Sequence, residues 1–151
     1  MKRVLTVGVF DLMHYGHVEL FRKAKELAGE GGHLIVGVQD DIYVKKYKPN
    51  AKLAYPFAIR KFMVESIKYV DRVIVHTDVD ETVKRVDFDI FCVGGEQSHP
   101  GFLRAIKWCE DNGKTIVRIS RTEGISSTMI RSGVEAVQQS VVQKVAGAIY
   151  A

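Results

Sequence analysis

Apolar and polar positions along this chain follow two periods in turn. Val4, Leu5, Val7, Val9 and Phe10 form a short apolar run of strand length. From Gly16 onward, Leu20, Phe21, Ala24 and Leu27 recur at helical spacing and predict one buried face. Glu30-Gly31-Gly32 marks the end of that helix. His33 to Val38 reads as a second apolar strand, closed by Gln39-Asp40-Asp41, with a lysine-rich loop expected next. Pro56 opens a helix whose core face is expected to hold Phe57, Ile59, Phe62, Met63 and Ile67. Further strands are predicted over 70–75, 89–93 and 114–119, and further helices over 79–86 and from Pro100 or Gly101 to Asp111. Ser126 or Ser127 then caps a last short helix through Ile130 and Arg131.

Strands alternating with helices predict an α/β fold. Right-handed crossovers make it a Rossmann-like doubly wound five-stranded parallel sheet with helices on both faces. Residues 1–133 are expected to form this one domain. In residues 134–151, Val134, Val137, Val141, Val145 and Ile149 recur at three- and four-residue spacing. They predict an amphipathic helix packed on the core or on a partner subunit. Lys144 is its one basic residue, which argues against a membrane-surface role.

Composition changes this picture little. A length of 151 residues suits one domain with its own core. No apolar run is long enough to span a bilayer, and Met1-Lys2-Arg3 leads straight into a strand, so a cytoplasmic location is expected. Cys92 on a strand and Cys109 on a helix are expected to be reduced core thiols. The net charge of +4 is mild and gathers in Lys45, Lys46, Lys48 and Lys52. That cluster suits a solvated loop or a nucleic-acid contact. Neither a stacking array of aromatics nor a helix-turn-helix pattern accompanies it, so no nucleic-acid partner is expected. A basic loop facing a triphosphate explains it more economically.

The chemistry gathers at the carboxyl ends of the predicted strands, where ligands bind in such sheets. After the first strand come His14 and His17, three positions apart on a first helical turn and facing the same way. Free N–H groups and the helix dipole favour an anion there, and each imidazole can donate to a phosphate oxygen. After the second strand come Asp40 and the lysines, and after the fourth Gly94-Gly95-Glu96. After the fifth comes Arg121-Thr122-Glu123-Gly124-Ile125-Ser126-Ser127-Thr128. Taken alone, that segment reads equally well as an anion site or as simple helix capping by a serine run.

Val9-Phe10-Asp11 followed by His14-Tyr15-Gly16-His17 resembles the signature of the paired-histidine nucleotidyltransferase superfamily. Arg121 to Thr128 resembles the Arg-Thr-x-Gly-Ile-Ser-Thr-Thr segment of its cytidylyltransferases, with Ser127 in place of a threonine. The resemblance runs from the first strand to about Arg131 and is nearest to the glycerol-3-phosphate branch. Choline-phosphate and ethanolamine-phosphate enzymes share the fold. Gly94-Gly95-Glu96-Gln97 stands where the glycerol-3-phosphate branch typically carries Gly-Asp-Asp-Trp, so the acid survives only as Glu96.

The resemblance implies transfer of CMP from CTP to a small phosphomonoester, glycerol 3-phosphate first among the candidates. Pyrophosphate would leave by in-line displacement at the α-phosphorus. The product would be a CDP-alcohol for a surface polymer or lipid. An adenylyltransferase acting on a sugar phosphate is the alternative, as is another acceptor such as phosphocholine. The resemblance gives His14, His17, Lys52 and Arg121 catalytic roles around the phosphates. It assigns the nucleotide to Val9, Phe10, Asp11, Gly16, Gly94, Glu96, Thr122, Gly124, Ile125, Ser126, Ser127 and Thr128. Asp11 would orient the turn or help to place a metal. Lys48, Arg60 and Asp40 are expected on the acceptor side, Arg60 either on a phosphate or paired with an acidic residue. Mg²⁺ is expected to arrive with CTP rather than on protein ligands. A homodimer is expected by the same resemblance.

Overall fold

In the computed structural model, the described residues are 1–94, 99–133, 142–143 and 145–147. The expected tail helix over 134–151 falls largely outside them, as do Gly95, Glu96, Gln97 and Ser98.

Eleven elements follow one another among the described residues: β1 (Arg3–Gly8), α1 (Tyr15–Ala28), β2 (His33–Gln39), α2 (Asp41–Tyr47), α3 (Phe57–Glu65), β3 (Arg72–His76), α4 (Val79–Arg85), β4 (Ile90–Gly94), α5 (Pro100–Asp111), β5 (Thr115–Ile119) and α6 (Ser127–Arg131). The strands form one five-stranded sheet in the order β3-β2-β1-β4-β5, and all four pairings are parallel. This is the doubly wound arrangement that the alternation predicts.

The two-residue strand period divides the core into two layers. Val4 of β1 joins Leu34, Val36 and Val38 of β2 in one cluster, closed by Phe21, Ala24 and Ala28 of α1 and Val64 of α3. Leu5 and Ile35 point the other way and meet Val83 of α4 and Ala105, Ile106 and Cys109 of α5. Each large apolar side chain fully buried in these layers contributes roughly 1.5–3 kcal/mol before entropy is counted. Cys92 and Cys109 are both free and buried, with burial pushing their thiols up to about 12 and about 11.

Chain direction reverses its progress across the sheet at β1, which pairs with both β2 and β4. The crevice at such a switch point is where open α/β sheets take ligands. The turn from β1 into α1 lies there.

Three local expectations need correction. The chain after Gln39 is not loop throughout, because α2 covers Asp41–Tyr47. Asp40 caps it by accepting from the Ile42 amide at 2.7 Å, and Val44 is its buried anchor. On α1 the buried face holds Ala28 rather than Leu27, which is 36% exposed. On α3 the face turned inward carries Arg60 and Val64, while Ile59 and Phe62 are exposed.

Candidate active site

The turn between β1 and α1 is wound tightly. Phe10 and Leu12 have φ of 56° and 48°, left-handed values that side-chain-bearing residues seldom adopt. Such a conformation persists only where the surroundings hold it. Several bonds do so here. The Ser127 hydroxyl donates to the Asp11 carbonyl at 2.7 Å. The Asp11 carboxylate, 4% exposed, accepts from the Ala54 amide at 2.7 Å, the Tyr55 amide at 3.0 Å and Arg131 Nη2 at 2.7 Å. Burial alone would raise its pKa, but these donors outweigh it and hold the carboxyl below its ordinary range. Arg60 fastens the turn from beneath, donating to the carbonyls of Val9 at 2.9 Å, Gln39 at 2.8 Å and Tyr55 at 3.1 Å.

Arg60 also pairs with Asp41 at 2.5 Å and has a wholly buried side chain. Of its two expected roles, the structure gives the acidic partner. With no exposed surface it does not face an acceptor. Asp40 likewise spends its carboxylate on the α2 cap and lines neither cavity described below.

His14 is the N-cap of α1, and the helix starts with a reciprocal pair of caps. The Gly16 amide donates to His14 Nδ1 at 3.0 Å, and the His14 amide donates to His17 Nδ1 at 3.3 Å. Each Nδ1 is therefore an acceptor, so each neutral ring carries its proton on Nε2. The rings stack with centroids 3.9 Å apart. Phe10 meets His17 edge-on at 5.5 Å and continues into the core at Phe21. Gly16 is required by closeness, since a Cβ there would lie 2.8 Å from His14 Cε1. Burial, then the neighbouring His14, push the His17 pKa down to about 3. Burial, then the Arg121 guanidinium, also lower that of His14.

Two cavities flank this pair. The smaller, about 460 Å³, is lined by His14, Gly16, His17, Gly94, Arg121, Thr122 and the run Ile125 to Thr128, among others. The larger, about 750 Å³, is lined by Val9, Phe10, Asp11, His17, Lys48, Lys52, His76, His99 and Arg131, among others. His17, Ser127 and Thr128 belong to both. Either volume suits a small-molecule ligand. Residues near the two ends of the domain thus share one cleft. Gly124, with φ of +85°, makes the turn that leads into α6 without lining either cavity. Ser126 caps α6 by accepting from the Met129 amide at 3.1 Å, so this serine does serve as a cap. Glu96 lies outside the described residues.

Sequence reasoning missed Arg131, His76 and His99. Arg131 carries no local signal, because its partner is 120 positions away. His99 stands one residue before a proline that opens a helix, and it caps α5 through Nδ1 at 3.1 Å from the Gly101 amide.

Among the described residues, no three His, Cys, Asp or Glu side chains are grouped to hold a metal ion. Asp11, the one carboxylate lining either cavity among the described residues, is already engaged by three donors. A divalent cation in either cavity would have to bring most of its ligands with it.

A family model described as cytidylyltransferase-like matches residues 5–133. The chain belongs to this family. It is accordingly a nucleotidyltransferase. The chain is 40% identical to the glycerol-3-phosphate cytidylyltransferase of Staphylococcus aureus over 87% of its own length and 93% of that protein's. It is 34% identical to an FAD synthase of Korarchaeum cryptofilum, over 85% of this chain and 88% of the other. Among solved structures, a lipopolysaccharide core biosynthesis protein of Thermoplasma volcanium superposes with a TM-score of 0.67 at 29% identity, covering 82% of this chain and 99% of that one. No helix among the described residues is long and apolar enough to cross a membrane.

Proposed function

We propose that this chain transfers CMP from CTP to glycerol 3-phosphate and releases pyrophosphate. The observation that carries the reading is the junction of the two cavities at His17, Ser127 and Thr128, with protonated Nε2 atoms on both stacked imidazoles. The triphosphate lies along the smaller cavity, and the phosphomonoester enters from the larger. An acceptor phosphate oxygen attacks the α-phosphorus, and the bond to the bridging oxygen breaks in line with it. His14 and His17 donate to the phosphate oxygens as charge builds there, at no cost in reorganisation. Arg121 holds the far phosphates, and pyrophosphate departs against Ser127 and Thr128. Lys48 and Lys52 draw in the acceptor and steady the α-phosphate. Mg²⁺ bound to the triphosphate supplies neutralising charge.

Residues 1–133 act as the catalytic domain, and the enzyme works as a homodimer. We place the enzyme in the cytoplasm. The relationship to glycerol-3-phosphate cytidylyltransferases favours this acceptor over phosphocholine. The FAD synthase relative favours a second reading, transfer of AMP from ATP, since FAD carries an adenylate half.

Purified protein should release pyrophosphate from CTP when glycerol 3-phosphate is added, and ATP should not replace CTP. Turnover with ATP alone would select the second reading. Silence with both nucleotides across a panel of phosphomonoesters would overturn the proposal.

A further inference from the structure

His76 ends β3 and lines the larger cavity, yet the catalytic scheme above does not use it. It is 3% exposed, which is unusual for a polar ring with only one bonded nitrogen. Nδ1 lies 2.8 Å from Thr82 Oγ1. Thr82 is itself fully buried, and its hydroxyl donates to the Asp78 carbonyl at 3.0 Å. A hydroxyl has one proton, and if it goes to Asp78 the Thr82 oxygen can only accept from His76. That arrangement puts the imidazole proton on Nδ1 and leaves a bare lone pair on Nε2.

No bond to Nε2 accompanies the one at Nδ1. Yet among the described residues every buried side-chain nitrogen and oxygen has a partner. Nε2 therefore reaches a surface, and the surface His76 lines is that of the larger cavity. His99 on the same cavity has the opposite tautomer. Its Nδ1 accepts from the Gly101 amide, which leaves Nε2–H as a donor. With Lys48 and Lys52, that wall is equipped for an anion. His76 is equipped for something that donates.

We propose that the Thr82 proton stays on the Asp78 carbonyl and that His76 Nε2 accepts a hydrogen bond from a hydroxyl of the acceptor, selecting polyol phosphates over phosphomonoesters that lack one. The inference rests on the cytidylyl-transfer reading for which molecule occupies the cavity. A quaternary ammonium has no proton to offer at this position, so phosphocholine leaves the lone pair unmet. A buried polar group built to meet a hydroxyl discriminates strongly against a ligand without it. Burial holds the His76 pKa down to about 4, so the lone pair stays available at neutral pH.

Two measurements with glycerol 3-phosphate and its hydroxyl-free counterpart propyl phosphate test this. In protein labelled with ¹⁵N at histidine, glycerol 3-phosphate should shift the His76 Nε2 resonance, and propyl phosphate should not. In pyrophosphate-release assays with CTP, His76→Leu should raise the KM for glycerol 3-phosphate roughly tenfold or more, the loss of one buried hydrogen bond. The KM for CTP and the rate with propyl phosphate should stay as in the wild type. An unmoved Nε2 resonance, or a folded His76→Leu enzyme with the wild-type preference, overturns the proposal. Absence of pyrophosphate release from the wild type would instead count against the transfer reading, while the resonance still decides the role of His76.

Discussion

Arg131 Nη2 and Asp11 Oδ2 meet at 2.7 Å although 120 positions separate them. Through this contact, α6 and the β1–α1 turn share a carboxylate with the backbone of Ala54 and Tyr55. Asp11→Asn keeps the shape but places an amide N–H against donors. The Arg131 side chain is 39% exposed, so the loss should fall below that of a fully enclosed pair, at about 2 kcal/mol. Urea unfolding would measure it. In a double-mutant cycle, Arg131→Met should cost much less in the Asp11→Asn background than alone.

Gly16→Ala should slow turnover by roughly ten- to a hundredfold, the usual penalty for a displaced catalytic group, while the helix propensity gained offsets the lost His14 cap and leaves stability nearly unchanged. The added methyl would strike the His14 ring, and the ring can yield only by leaving its stack with His17. The readouts are kcat beside an unaltered melting temperature.

His17→Ala removes a donor shared by both cavities and should lower kcat by about 10²–10³-fold, as loss of one preorganised oxyanion donor does. In the free protein, protonating either ring would set a new Nδ1–H against a backbone N–H. Both histidines should therefore stay neutral at physiological pH, and bound CTP should raise their pKa values. An NMR titration with and without CTP checks this, and absence of a rise would refute it.

Stability should fall in mild acid. The native pKa values of His17 and His76 are about 3 and about 4, below the ordinary 6.5. As pH drops through about 6.5 the unfolded chain takes up protons that the folded chain refuses, and each residue costs up to about 1.4 kcal/mol per pH unit. The decline from His76 should level off near pH 4, and that from His17 near pH 3. Asp11, held below 3.8, adds its own loss at still lower pH. Denaturant midpoints measured between pH 7 and pH 4 should show the histidine share, and His76→Leu should flatten the curve.

The sequence made the sheet legible because continuous apolar runs such as Leu34 to Val38 have few alternatives to a doubly covered strand. The paired imidazoles and Arg121 were legible as chemistry because residue types and spacing suffice there. Helix α2 was hidden by its lysines, although Asp40 and Val44 supplied a cap and an anchor. Arg60 stayed open between a phosphate and an acidic partner because charge is read from sequence and burial is not. The burial of His76 against Thr82 depends on how β3 meets α4, and no periodicity encodes that.

His17, Ser127 and Thr128 line both chambers, so under the proposed placement the nucleotide and the acceptor would press on the same three side chains. A substitution at any of the three should then disturb both affinities together, whereas one at Arg121 or Lys48, each confined to a single chamber, should disturb one.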